Sequence, residues 1–279
     1  MDIVGDVAAL RDRVRALRRA GETVALVPTM GALHEGHVSL VRLARQHASR
    51  AVVSIFVNPA QFAPTEDFST YPRTFEADIA GLRGLADLVW APAKVTVMYP
   101  PDFATKVRVG GPAVVGLEDK HRPHFFEGVA TVVAKLLLQC LPDVAIFGEK
   151  DFQQLRVIQR MSADLDIPAS IIGAPTIRDV DGLALSSRNA YLSKGERAIA
   201  PILHATLRRV ASEIRSGKTI DTAVREGISA LLAAGFSVDY LEARDTNTLE
   251  PVNAASTESL RLLAAARLGA TRLIDNIGV

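Results

Sequence analysis

The 279-residue chain predicts an α/β fold, a doubly wound parallel sheet followed by a second, smaller α/β domain. Two observations in the first two-thirds carry that expectation. Apolar runs of strand length, such as Val24-Ala25-Leu26-Val27, are continuous rather than alternating, as in strands covered on both faces. Between them lie stretches of helical period, and strand–helix alternation implies parallel neighbours joined by crossovers. A third observation marks the second unit: after Thr176, two long helical stretches precede three strand-like runs.

Each element has a local reason. Residues 8–20 read as a helix, because Leu10, Val14 and Leu17 share a face, Asp6 can cap its start and Gly21 follows its end. Residues 24–27 form a short buried strand, and residues 37–47 carry Leu40, Val41 and Ala44 on one helical face. Residues 51–57, rich in β-branched side chains, are the strongest strand signal. The loop 58–72 follows, and loops of that length commonly act as lids or binding segments. Then come a helix at 74–86, a strand at 88–90, an irregular stretch through Gly110-Gly111-Pro112 and a helix at 127–140. A strand at 144–147, a helix at 151–165 and a strand at 169–172 complete the first unit. Helices at 194–216 and 219–234, with strands at 238–243, 260–266 and 272–274, make the second. The chain thus divides into residues 1–176 and 177–279, with the boundary within 175–188.

Composition excludes several function classes. Apolar residues make up 48% and the formal net charge is +1, which fits a globular protein without broad nucleic-acid or membrane binding. The arginines between 11 and 19 alternate with apolar residues at helical spacing, as on a solvated helix face. Cys140 is the single cysteine, so no intrachain disulfide is possible and a cytoplasmic, reducing setting is expected. It sits in the apolar run Leu136-Leu137-Leu138-Gln139-Cys140-Leu141, as a packing residue would. With Asp2, Asp6 and Asp12 and no long apolar run near the start, no secretory signal is expected, and no apolar run reaches membrane-spanning length.

Chemistry concentrates where strands end. Pro28-Thr29-Met30-Gly31-Ala32-Leu33-His34-Glu35-Gly36-His37 joins the first strong strand to a helix through a glycine-bearing turn. Such a turn aims backbone N–H groups and the positive end of a helix at one spot, which suits a phosphate. Displacement at a nucleotide phosphorus builds negative charge on oxygen, and the imidazoles of His34 and His37 are fitting donors for it. Zinc is the weaker alternative, since His-Glu-x-x-His helices place their histidines four apart without an intervening glycine.

Gly148-Glu149-Lys150-Asp151 repeats the geometry after another apolar strand, with Lys150 as a point charge and Gln154 one helical turn onward. Alone, such a lysine is an ordinary solvated helix start. Ser186, Ser187 and Arg188 stand at the expected boundary, where hydroxyls and a guanidinium can close over phosphates or where a serine can simply cap a helix. Asn58 and Gln61 flank Pro59 and offer neutral amides to a carboxylate or hydroxyl, although such residues also form turns. Glu76 and Asp78 fall in a predicted helix and read as surface charges; no protein metal ligand is expected, and any magnesium would ride on nucleotide phosphates.

The ordered segments resemble the pantoate–β-alanine ligase family within the His-x-Gly-His nucleotidylyltransferases. Matching stretches are Val27 through His37, Ser54-Ile55-Phe56-Val57-Asn58-Pro59 with Gln61-Phe62, and Tyr71-Pro72-Arg73-Thr74. They continue with Gly128-Val129-Ala130-Thr131, Phe147 through Leu155, and Asp181-Gly182-Leu183-Ala184 with Ser186-Ser187-Arg188-Asn189. The likeness is strong from residue 23 to 192 and thin beyond.

The resemblance implies a Rossmann-like sheet and an ATP-dependent ligase that condenses pantoate with β-alanine through pantoyl adenylate. It implies ATP contacts at Met30, Gly31, Ala32, Leu33, His34, Glu35, Gly36 and His37, with His37 at the reacting phosphates. Gly148, Glu149, Lys150, Asp151, Ile177, Leu185, Ser186, Ser187 and Arg188 would complete the nucleotide pocket. His34, His37, Lys150 and Arg188 would carry catalysis, Gln61 and Gln154 would hold pantoate, and Gln61 would also border β-alanine. A magnesium requirement and a homodimer are implied too, with residues 1–176 binding nucleotide and substrate and 177–279 covering the site.

Three positions depart from the family pattern. Leu185 and Ala60 stand where methionine is frequent, and Phe125 where many members have histidine, beside Arg122 and His124 as possible substitutes. Two other functions fit the bare residues: a nucleotidylyltransferase, which leaves AMP on its product, and a nucleotide sensor without turnover.

Overall fold

A computed structural model describes residues 1–64, 66–252 and 259–279. Residue 65 of the expected loop 58–72 lies outside the described residues.

The first unit begins with β1 (Asp2–Val4), α1 (Val7–Arg19), β2 (Val24–Thr29), α2 (Glu35–His47) and β3 (Arg50–Ile55). It continues with α3 (Phe75–Leu82), β4 (Leu88–Trp90) and the short helices α4 (Val95–Met98) and α5 (Glu118–His121). The long helix α6 (Phe125–Cys140), β5 (Val144–Gly148), α7 (Phe152–Asp164) and β6 (Ser170–Ala174) complete it. The second comprises α8 (Lys194–Ile199), α9 (Ile202–Arg215), α10 (Ile220–Ala233), β7 (Ser237–Asp245), β8 (Leu260–Leu268) and β9 (Thr271–Gly278).

The six strands of the first unit form a sheet in the order β1-β4-β3-β2-β5-β6 with every pairing parallel, as the continuous apolar runs require. From β2 the chain winds outward to β3 and β4, then returns to lay β5 on the other side of β2. Ligands bind at such a reversal, beyond the carboxyl ends of the strands.

Here the reversal opens a physical gap. β2 and β5 pair only at Ala25–Val144 and Leu26–Ala145, although both strands run further. Val24 accepts a bond from Asp143 N, so alternate residues 24, 26 and 28 face β5. Pro28, which has no N–H to give, therefore faces β5 just where pairing has stopped.

Three apolar clusters hold the molecule. One covers each face of the parallel sheet, the first containing Leu26, Trp90 and Leu137 and the other Val27, Val53 and Ile146. The third lies between α9, α10 and the antiparallel sheet β7-β8-β9. Along β8, Leu262, Ala264 and Ala266 enter that third cluster while Leu263 and Ala265 enter the first. The small sheet is therefore apolar on both faces and packs against the large unit. Cys140 is buried, and burial pushes its thiol up to about 12, so packing is its role.

Several boundaries differ from expectation. β1 is too short to produce a recognisable pattern. The single helix expected at 194–216 is two, because Pro201 interrupts α8 and α9. Loop 58–72 contains a one-turn helix, Pro59–Gln61, capped by Asn58. The helix expected from residue 37 starts at Glu35, which makes His34 its cap and places His37 in its first turn.

Candidate active site

Beyond Thr29 the chain turns through Gly31 (φ +82°) and Ala32 (φ +49°), two successive left-handed residues. For alanine that conformation costs roughly 1–2 kcal/mol, so something must hold it. Asp78 does. Its carboxylate accepts from Ala32 N at 3.0 Å, Leu33 N at 2.8 Å and Thr74 Oγ1 at 3.0 Å. Expected at the surface, Asp78 is only 3% exposed, while Glu76 is exposed as expected. Its signal was available: Asp78 and Leu82 are one helical turn apart, so the carboxylate shares the face of a buried leucine.

His34 caps α2, its Nδ1 accepting from Gly36 N at 3.1 Å. His37 Nδ1 accepts from His34 N at 3.3 Å, and the ring centroids are 4.1 Å apart. A ring nitrogen that accepts cannot carry the proton, so each neutral imidazole keeps its hydrogen on Nε2. Burial, then the neighbouring His34, then Lys150 push His37 down to about 3; burial and Lys150 lower His34 as well. The result is a pair of neutral N–H donors at the positive end of a helix. Metal-bound histidines donate their second N–H instead, so this arrangement disfavours the zinc alternative. Gly36 is needed because a Cβ there would lie 2.8 Å from His34 Cε1.

The second turn, Gly148 to Asp151, stands across the gap. Lys150 Nζ is 3.5 Å from Asp151 Oδ2 and lines the same cleft as both histidines. Gln154 lines it too, and among the described residues its amide has no protein hydrogen bond. The cleft encloses about 720 Å³, in the range of small-molecule sites. Met30, Gly148, Asp151, Ile177, Leu185 and Ser186 also line it, as do Ser187 and Arg188.

Five expected nucleotide contacts do not line the cleft. Gly31, Ala32 and Leu33 shape the turn through the bonds to Asp78. Glu35 is exposed and paired with Arg42. The Glu149 carboxylate turns toward Arg261, 3.9 Å away.

Other expected residues are brought together, with altered roles. Asn58 is 1% exposed and its amide is fully engaged inside the protein. It accepts from Tyr99 Oη at 2.7 Å and Ala60 N at 3.3 Å, and donates to Gln61 Oε1 at 3.0 Å and Gly128 O at 3.2 Å. It therefore positions Gln61 rather than offering a free amide to substrate. Gln61 points its Nε2 toward Met30 Sδ at 3.2 Å. Ser186 caps the one-turn helix Ser187–Tyr191, and Ser187 Oγ donates to Ala32 O at 3.2 Å. Arg188 makes two bonds to Asp67, at 2.9 and 3.1 Å, which tie loop 58–72 to the residues that follow the hairpin 177–185. Asp67 gave no signal in the sequence, because its partner is 121 positions away. At the Phe125 departure, the ring lies 3.8 Å from the Arg122 guanidinium, which also pairs with Glu66.

A family model described as pantoate-beta-alanine ligase matches residues 2–278. A pantothenate synthetase from Rhodopseudomonas palustris is 59% identical over 272 residues, 97% of this chain and 96% of that protein. One from Nitrobacter hamburgensis is 56% identical, covering 99% of this chain and 98% of that protein. Among solved structures, a pantothenate synthetase from Thermus thermophilus aligns with a TM-score of 0.93 at 46% identity, covering 100% and 99% of the two chains. A Francisella tularensis pantoate-beta-alanine ligase, complexed with beta-gamma ATP and beta-alanine, aligns at 0.81 with 31% identity, covering 99% and 97%. With matches of this strength over nearly its whole length, the chain belongs to the pantoate-beta-alanine ligase family.

Proposed function

We propose that this protein is an ATP-dependent ligase that condenses pantoate with β-alanine to give pantothenate, AMP and pyrophosphate. The observation that carries the proposal is the shared cleft, where two neutral imidazole donors and Lys150 meet the amides of Gln61 and Gln154. Family membership supplies the identity of acid and amine.

In the first half-reaction the pantoate carboxylate attacks the α-phosphorus of ATP. A new P–O bond forms, the bond to the β-phosphate oxygen breaks, and pyrophosphate leaves. The Nε2–H groups of His34 and His37 and the Lys150 ammonium stabilise the charge that gathers on phosphate oxygens. Gln61 and Gln154 hold pantoate in line. In the second half-reaction the β-alanine amine attacks the acyl carbon of pantoyl adenylate, the bond to the AMP oxygen breaks, and the amine sheds its proton. Arg188 acts on phosphate by exchanging Asp67 for it.

Residues 1–176 bind nucleotide and substrate, and residues 177–279 cover the site. Magnesium carried on the ATP phosphates would neutralise part of their charge. A carboxylate, Asp151, borders the cleft beside Lys150. The homodimer rests on resemblance. For a cytoplasmic location the support is the lone buried cysteine and the lack, among the described residues, of a helix long and apolar enough to cross a membrane.

Product analysis tests the proposal. A mixture of ATP, magnesium, pantoate and β-alanine should yield pantothenate, AMP and pyrophosphate, and omission of either organic substrate should abolish AMP release. Pyrophosphate without AMP, even with amine present, would instead identify a nucleotidylyltransferase. ATP binding without any turnover would identify a sensor.

A further inference from the structure

Two residues of β9, far along the chain from either phosphate turn, grip both walls of the cleft. Asn276 is 4% exposed. Its Nδ2 donates to Glu149 O at 2.8 Å and to Lys150 O at 3.0 Å, the carbonyls of the one-turn helix from which Lys150 projects. Its Oδ1 accepts from Arg261 Nη1 on β8. That bond fixes which end of the amide faces which partner, since a flipped amide would set oxygen against two carbonyls. The preceding residue, Asp275, accepts from Asn276 N at 2.7 Å and binds Arg178 through both oxygens at 2.6 and 2.8 Å. Arg178 belongs to the hairpin that carries Ile177 and Leu185 on the opposite wall.

We infer that Asn276 is a positioning residue for Lys150, and that through it the seating of the small sheet sets the site for adenylation. The inference rests on the phosphate role proposed for Lys150. A lysine side chain has four rotatable bonds, so its ammonium can hold one place only if its backbone is pinned. Two N–H groups from one rigid amide pin consecutive carbonyls. Asparagine suits the task where aspartate would not, because a carboxylate would repel both carbonyls and leave them unpaired inside the protein.

The test separates the half-reactions. Pantoate-dependent exchange of labelled pyrophosphate into ATP reads adenylation, and reaction of preformed pantoyl adenylate with β-alanine reads the second step. N276A should slow exchange by about ten- to a hundredfold, the effect of a slightly misplaced group, and leave the second step within about twofold. N276D keeps the shape and the acceptor for Arg261 but loses both donors, and it should behave alike even if N276A folds poorly. In a K150A background either substitution should add less than about twofold, because its route of action is already gone. Losses that multiply with K150A, equal losses in both half-reactions, or wild-type exchange in N276D would overturn the inference. Wild-type enzyme lacking pantoate-dependent exchange would instead sink the functional proposal, and the assignment of Asn276 with it.

Discussion

Replacing Asp78 by alanine should damage stability and adenylation together, because one carboxylate holds the phosphate turn in shape. It receives two backbone N–H groups, at 3.0 and 2.8 Å, from Ala32 and Leu33. Bonds to a charged partner contribute about 1.5–3 kcal/mol each, so the pair is worth roughly 3–6 kcal/mol. Water entering from the adjoining cleft can recover part of this, which places the expected loss near ~3–4 kcal/mol. For a chain of this size, with an unfolding entropy of about 0.6 kcal/mol/K, that lowers the midpoint of thermal unfolding by roughly 5–7 °C. The single tryptophan, Trp90, is fully buried on β4, so its fluorescence reports the unfolding of the parallel sheet. Without Asp78 only the Ser187 bond to Ala32 O remains to hold Ala32 at φ +49°, and relaxation of the turn carries His34 and His37 away from their places at the cleft. Adenylation should fall by about a hundredfold, as for a displacement near 1 Å. D78N keeps one acceptor and should lie between. A D78A protein that melts within about 2 °C of wild type and retains its exchange rate would refute the reasoning.

The His37 ring should remain a neutral Nε2–H tautomer from pH 8 down to about pH 4, read from ¹⁵N shifts of the imidazole; an imidazolium at pH 6 would contradict it. Its ordinary value of 6.5 is depressed to about 3 in the folded protein, so the unfolded chain takes up the proton first. The associated stability is complete above pH 6.5 and is lost as pH falls toward 3. H37A should lose about a hundred- to a thousandfold in single-turnover adenylation, the usual loss for one transition-state donor. A Cβ at Gly128 would sit 2.2 Å from Ala60 O, so G128A should displace the Asn58–Gln61 turn. It should raise the pantoate KM about tenfold, and a normal KM would detach that turn from substrate binding. Glu118 of α5 accepts from Tyr240 and, twice, from Arg272, all at 2.8 Å, across the contact between the first unit and the small sheet. E118A should therefore cost about 3–5 kcal/mol in urea unfolding, and a loss below about 1 kcal/mol would show that the contact is not held there.

Much of this molecule was readable before any coordinates. Continuous apolar runs specified parallel strands, because a strand covered on both faces has no wet side on which to alternate. Asp6 capping α1 and the glycine turn before His37 were visible for the same reason, since each depends on neighbours within a few positions. The last strand shows where that legibility ends. It was expected to stop at residue 274, yet β9 runs to Gly278, because Asp275 and Asn276 look like the end of an apolar strand and are in fact buried.

Backbone class and the place of the glycine turn before His37 follow from local chemistry, in which period, branching and glycine act over one or two turns of chain. The partners of polar side chains that reach across the chain were decided by the folded molecule alone. Asp78 holds a turn 45 positions away, Arg188 answers to Asp67, Asn58 donates to Gly128 O, and Asn276 pins the base of Lys150. A buried hydrogen-bonding group must find a partner wherever the packing places one, and sequence separation does not limit that choice.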